Sequence, residues 1–282
     1  MFAIDPTPGE YVLAHQEWKP YHSLDDGESP NIKWLTVATF NVWFGADYFN
    51  ERCQAVLALL ESCRPDLIAL QEVTPDFLQQ VLHTPWVQAE YRISDIYGDS
   101  VDPYGVLILS RLPIREWQFF ALPSVMGRHL VTARALLNAT VTTFASVHLE
   151  STSYAAPTRA KQLARIFPLL ATEQHVILSG DFNFCSSWEE NRRLDPTYQD
   201  VWPLLHQTAP GFTEDTDRNT MRLLVTGKRK QVRFDRLLLR SQPAGWRAET
   251  IRLIGTEPIS STMPNIFPSD HFGLLGTFVW QA

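Results

Sequence analysis

The chain has 282 residues, 45% hydrophobic and 20% charged, with a formal net charge of −7. That balance fits one large α/β domain or two small ones with a sizeable core, and it excludes a disordered chain. The acidic total excludes indiscriminate nucleic-acid binding by the whole surface, and three cysteines without a Cys-x-x-Cys pair (Cys53, Cys63, Cys185) exclude a disulfide framework and a zinc knuckle.

The opening Met1-Phe2-Ala3-Ile4-Asp5 lacks the positive start and apolar core of a signal peptide, and no later run is apolar enough for a bilayer span. The expectation is a soluble, intracellular chain without a membrane partner. Residues 1–33 are rich in Pro, Asp, Glu and Gly and aperiodic, and read as an N-terminal arm before a domain over 34–282. Trp34 to Phe44 is rich in β-branched and aromatic residues and predicts a strand. Cys53, Val56, Leu57, Leu60 and Cys63 are spaced helically, and Pro65 ends that helix. Asp66 to Val73 predicts a buried strand, and Thr74-Pro75 opens a second helix. Strand-like runs follow at Val106 to Ser110, Trp117 to Ala121, Leu130 to Leu137 and Val141 to Leu149. Pro157 to Ala171 predicts a helix, His175 to Ser179 a strand, and Tyr198 to Leu205 a short helix. Val232 to Leu239, Ala248 to Ile254 and Phe272 to Trp280 are the last predicted strands. Strands and helices mix without strict alternation, which points to a layered α/β fold with mixed or antiparallel sheets.

Polar residues gather where the predicted strands end. Asn41 sits inside an apolar strand, where an amide needs partners. Glu72 closes the apolar run Leu67 to Leu70, a costly place for a carboxylate unless it is paired or metal-bound. Gly180-Asp181-Phe182-Asn183 follows the strand His175 to Leu178. Glycine permits the turn, and Asp181 and Asn183, two apart, can point to one side to hold and activate a water. Ser269-Asp270-His271 precedes the last strand, and an Asp-His pair can orient an imidazole or share a metal. His148 stands at another strand end. Taken singly, each has a structural reading: a backbone cap for Asn41, a salt bridge for Glu72, a satisfied histidine for His148 or His271.

The order carries more than the parts. Phe40-Asn41, Leu70-Gln71-Glu72-Val73, Ser146-Val147-His148, Ser179-Gly180-Asp181-Phe182-Asn183, Arg233-Phe234-Asp235-Arg236 and Ser269-Asp270-His271 resemble the motif series of the endonuclease/exonuclease/phosphatase superfamily. The resemblance runs from about Trp34 to the C-terminus. Together with His148-Leu149-Glu150-Ser151-Thr152, Gly211 to Thr216 and Phe267 to Leu275, it looks like the 5′-tyrosyl-DNA phosphodiesterases within that superfamily. The resemblance implies a four-layer α/β sandwich, two mixed β-sheets face to face flanked by helices. It implies Mg²⁺, with Mn²⁺ as a substitute, bound by Glu72 and Asp270 with Asn41 alongside. Asp181 would activate the attacking water, Asn183 hold phosphate or water, and His148 and His271, the latter oriented by Asp235, donate to phosphoryl oxygens. Ser151, Glu214, Arg233 and Arg236 would face substrate, which is DNA or a 5′-tyrosyl-DNA adduct, and the chain would act as a monomer.

Two departures bear on substrate. Phe184-Cys185-Ser186 replaces the Leu-Arg-Asp that follows the Gly-Asp-x-Asn turn in animal members, and Glu214 stands where those members carry a substrate-stacking Trp. The rival readings are another phosphoesterase of the superfamily (an abasic-site or general nuclease, a deadenylase, a phosphoinositide phosphatase, a sphingomyelinase) and a non-catalytic binding module. A cysteine phosphatase fails on spacing, since Asn191 holds the place an arginine would need after Cys185. Between Arg218 and Arg252 the chain carries ten Lys/Arg against two acids, Asp235 and Glu249. That segment reads either as a face for a polyanion or as a salt-bridged surface.

Overall fold

The computed structural model describes residues 4, 6–21 and 29–282. An eight-stranded sheet runs in the order Gly245–Ile254, Gly273–Gln281, Trp34–Asn41, Leu67–Val73, Gly105–Ser110, Arg92–Ile93, Gly9–Val12 and Glu17–Pro20. A six-stranded sheet runs Gln199–Asp200, Asp235–Arg240, His175–Asp181, Thr140–His148, His129–Leu137 and Glu116–Ala121. A two-stranded ribbon pairs Glu214–Asp215 with Gln231–Val232. Both larger sheets are mixed: Trp34–Asn41 pairs in parallel with Leu67–Val73, and Thr140–His148 with His175–Asp181, while their other neighbours are antiparallel.

Each central strand alternates between two apolar layers, which is why these runs read as continuously hydrophobic. Leu35, Val37, Leu67 and Ala69 of one sheet pack between the sheets against Val131, Phe144, Ile177 and Leu237 of the other. The opposite faces are covered by helices. Ala38, Phe40, Ile68 and Leu70 meet Val56 and Leu60 of helix Phe49–Cys63 and Phe77 of helix Pro75–Leu82. Ala145, Val147, Val176 and Leu178 meet Leu163 and Ile166 of helix Ala156–Leu169. Helix, sheet, sheet and helix form the four layers of the sandwich. Among the described residues no helix is long and apolar enough to cross a membrane.

Three expectations change. Residues 9–20 lie in the assigned N-terminal arm, yet they form a hairpin on the edge of the eight-stranded sheet, held by Gly9 opposite Ile93 and by an edge contact between the rings of Tyr11 and Trp18; residues 22–28 of that arm lie outside the described residues. The helix expected from Tyr198 is only Val201–Leu205, because Gln199–Asp200 is a short strand paired with Asp235–Arg240. The strand expected over Val232 to Leu239 breaks at Arg233-Phe234, where the Thr213 hydroxyl accepts from the backbone N–H groups of both Phe234 and Asp235.

The last two changes meet at Asp200, and they correct the reading of Arg233 and Arg236. Neither faces the catalytic pocket. Arg233 forks onto both oxygens of Asp200 at 2.9 Å, and Arg236 donates to the same carboxylate at 2.7 Å, to Asn191 and to the Phe184 carbonyl. Both guanidiniums are buried, and burial pulls the Arg236 pKa down to about 10 against the pull of Asp200. The pair is a structural strut between Gln199–Asp200 and Asp235–Arg240. Asp200→Ala strands two buried cations and should cost about 3 kcal/mol of stability, read from the midpoint of urea unfolding; an unchanged midpoint would contradict the strut.

Candidate active site

The site lies where the central strands of both sheets end. Along each strand the positions facing the other sheet turn from apolar to polar toward that end: Leu35, Val37, Thr39, Asn41; Leu67, Ala69, Gln71; Phe144, Ser146, His148; Ile177, Ser179, Asp181; and Leu239, Leu237, Asp235. Register then aligns the reactive groups. Asp181 sits opposite His148 on one side and Asp235 on the other, so the three project as one row. Gln71 ties the sheets together beneath this row, donating to Ser146 and Thr39 at 3.1 Å each.

Two local conformations aim the remaining groups. The register between Leu67–Val73 and Gly105–Ser110 shifts after Leu70, and Glu72 takes a left-handed φ of 59°, which turns its carboxylate toward Asn41. Gly180 has φ 128°, and a Cβ there would stand 1.9 Å from the Val147 carbonyl oxygen, so only glycine lets the two strands approach. Asn183, at φ 54°, folds back so that its N–H donates to Asp181 Oδ1 at 2.8 Å.

Asn41 Nδ2 bridges the sheets, donating to Glu72 Oε1 at 3.2 Å and to Asp181 Oδ2 at 3.1 Å. Ser269 Oγ donates to the Asn41 carbonyl at 2.6 Å and anchors the Asp270-His271 turn to that strand. Burial first, then the charge of Asp270, lifts the Glu72 carboxyl to about 7. Burial and the neighbouring Asp235 lift Asp181 to about 6. Burial also raises Asp270, with Glu214 adding to it.

The two histidines differ in charge. Burial opposes a proton on His271, but the hydrogen bond of 2.8 Å to Asp235 Oδ2 and the surrounding acids outweigh it and hold its pKa well above the usual value. His148 is driven well below the usual value by burial and by Arg128. Arg128 can only donate, so its contact of 3.0 Å makes His148 Nδ1 an acceptor and leaves the proton on Nε2. That Nε2–H has no hydrogen-bond partner and lies 3.5 Å from Asp181 and 3.9 Å from Glu72. It is a neutral donor aimed at the place where negative charge gathers.

Of these groups Glu72, Asp181, Asn183, Asp270 and His271 line a cleft of about 290 Å³ with Ser151 and Glu214 on its wall. Arg222 and Lys230, from the basic segment between Arg218 and Arg252, also line it, and Tyr104 and Arg128, which the sequence did not single out, belong to the same region. Arg128 lies over the Tyr104 ring and donates to Ser151, and Tyr104 stacks on Phe44 at 4.7 Å. Tyr104 and Arg128 fall in turns beside strands and carry no periodic signal. A larger groove of about 570 Å³ runs past Asp195, Trp202 and Arg233 and holds none of the clustered acids and imidazoles.

Two groups of residues offer oxygen or nitrogen ligands to a cation. Asp181, Asp235 and His271 bring ligand-type atoms within 4.8 Å of one another, with His271 already hydrogen-bonded to Asp235. Glu72 and Asp270 offer a second set: two hard carboxylates that repel each other, with the Asn41 amide donating to Glu72.

The chain's sequence matches the model of the endonuclease/exonuclease/phosphatase family over residues 38–271. It is 30% identical to tyrosyl-DNA phosphodiesterase 2 of Xenopus laevis over 98% of this chain and 74% of that one, and 28% identical to the Homo sapiens protein over 89% and 70%. The structure superposes on Danio rerio tyrosyl-DNA phosphodiesterase 2 complexed with single-strand DNA product with a TM-score of 0.75 and 26% identity, covering 87% of this chain and 98% of that one. The chain belongs to the endonuclease/exonuclease/phosphatase family, a family of divalent-metal-dependent phosphoester hydrolases.

Proposed function

We propose that the chain is a Mg²⁺-dependent phosphodiesterase acting on DNA ends, and that its preferred bond joins a tyrosine phenol to a DNA 5′-phosphate. The observation that carries this reading is the row of Asp181, His148 and Asp235 at the strand ends, with Asn41 joining Asp181 to Glu72, and with Asp181, Glu72, Asp270 and His271 lining one cleft. Work on DNA would put the chain inside the cell.

Each side chain then has a task. Asp181, still ionised at neutral pH but made more basic by burial, orients a water and takes its proton. Asn183 Nδ2, close to Ser151 Oγ and the Leu149 carbonyl, is in reach of a phosphate oxygen or of that water. The His271 imidazolium, steadied by Asp235, and the unpartnered His148 Nε2–H donate to the phosphoryl oxygens as charge builds. A divalent cation on Glu72 and Asp270 would neutralise the same charge, and hard oxygen ligands suit Mg²⁺ or Mn²⁺. As water oxygen bonds to phosphorus in line, the bond to the phenolic oxygen breaks. A phenol with a pKa near ~10 leaves as phenolate with little need for a general acid. The stacked Phe44–Tyr104 pair gives a flat wall for an aromatic leaving group or a base.

The substrate class is tested by comparing 5′-tyrosyl DNA with an abasic duplex and plain single-stranded DNA. Faster cleavage of the tyrosyl end is expected, and equal or faster cleavage of either alternative would move the chain to another branch of the family. On thymidine 5′-(p-nitrophenyl phosphate), Asp181→Asn should lower kcat by about 10² to 10⁴-fold, the weight of a general base; full activity would remove Asp181 from that role. Chelation with EDTA should abolish turnover and added Mg²⁺ restore it, and turnover that persists in EDTA would defeat the metal assignment.

A further inference from the structure

The cleft wall also carries charge. Glu214, on the two-stranded ribbon, is only 2% exposed. Its Oε2 accepts from Lys230 Nζ at 2.7 Å. Its Oε1 is buried with no hydrogen bond, 3.9 Å from Arg222 Nε. The same Nε lies 3.8 Å from Asp270 Oδ2. The two cations keep side-chain exposures of 39% and 35%, for Arg222 and Lys230 respectively. A buried carboxylate is therefore roofed by two half-open cations, and a molecule entering the cleft meets an ammonium and a guanidinium before it meets Glu214.

Internal pairing does not exhaust these cations. One carboxylate, Glu214, faces both, and only Lys230 hydrogen-bonds to it. Lys230 has two further N–H groups, and its ammonium is steadied over the Phe234 ring at 4.4 Å. Arg222 approaches both acids beyond hydrogen-bonding distance and through Nε, which leaves the fork of Nη groups to meet two oxygens of a phosphate. Of the ten Lys/Arg between Arg218 and Arg252, Arg222 and Lys230 are the two that line the cleft. Arg233 and Arg236 are spent on Asp200, Arg229 on Asp217, and Arg240 on backbone carbonyls.

We infer that Arg222 and Lys230, held by Glu214, bind a second phosphate of the substrate strand, the internucleotide phosphate next to the scissile bond. This rests on the phosphodiesterase reading above. Asp270 joins the two regions: one neighbour is the reacting group His271, and its carboxylate meets Arg222, so the cation pair sits one side chain away from the reaction centre. Recognition here is by backbone charge and carries no base preference.

The test uses the full chain with Mg²⁺ and two 5′-(p-nitrophenyl phosphate) dinucleotides that differ only in the internucleotide link, a phosphate in one and a neutral methylphosphonate in the other. The readout is the ratio of kcat/KM for the two, which cancels any loss of active protein or any effect on the shared chemical step. Wild type should favour the charged link about tenfold, the weight of a charge-assisted contact. Lys230→Gln and Arg222→Gln should each reduce the ratio to about two- or threefold, and the double variant to about one. A wild-type ratio near one, or an undiminished ratio in the double variant, overturns the proposal. Failure of wild type to turn over either dinucleotide overturns the phosphodiesterase reading and this proposal with it.

Discussion

Gathering the buried Asp181, Asp235 and Asp270 beside the half-buried Glu72 is unfavourable, because each loses water and each repels the next. The rest of the structure offsets that cost. Asn41 lends one amide to two of the carboxylates, the Asn183 N–H serves Asp181, the Phe44 N–H serves Glu72, and a protonated His271 sits on Asp235. Even so, Asp235 Oδ1 and Glu214 Oε1 remain buried without hydrogen bonds. The site is held in a state that a cation would relieve, which is how a preorganised centre differs from a relaxed surface.

Holding such a cluster needs a frame that does not give way. The two sheets supply it through close-packed apolar layers on both of their faces, and Gln71 pins them together just beneath the reactive row. The arginines follow the same logic. Arg233 and Arg236 lock the strand that carries Asp235, and Arg52 donates to the carbonyls of Val42, Trp43 and Gly45, fixing the loop after Asn41. Two charges that look like substrate contacts in the sequence, Arg233 and Arg236, are therefore buried supports for the strand that holds Asp235.

The sequence makes much of this legible. With a period of two, Leu35, Val37, Thr39, Asn41 and Ile177, Ser179, Asp181 already show a core turning polar toward one end, and the order of the motifs brings those ends together. What stays hidden depends on contacts distant in sequence. Nothing local indicates that Asp200 takes both Arg233 and Arg236, 33 and 36 residues away. The four-residue strands at 9–12 and 17–20 are too short for periodicity to stand out from a Pro- and Glu-rich arm. Glu214 was legible as a departure, but its burial beneath Lys230 and Arg222 depends on the ribbon pairing Glu214–Asp215 with Gln231–Val232.

The central claim, that mutually repelling carboxylates at the strand ends form a divalent-cation site, is tested most directly by thermal unfolding at pH 8 with and without Mg²⁺, comparing wild type with Glu72→Gln. Removing one of the repelling charges should raise the Tm of the metal-free protein. Mg²⁺ should raise the Tm of wild type in a saturable way by binding the folded state and leave the variant almost unmoved. A wild-type Tm indifferent to Mg²⁺, or a variant that responds as strongly as wild type, would contradict the account.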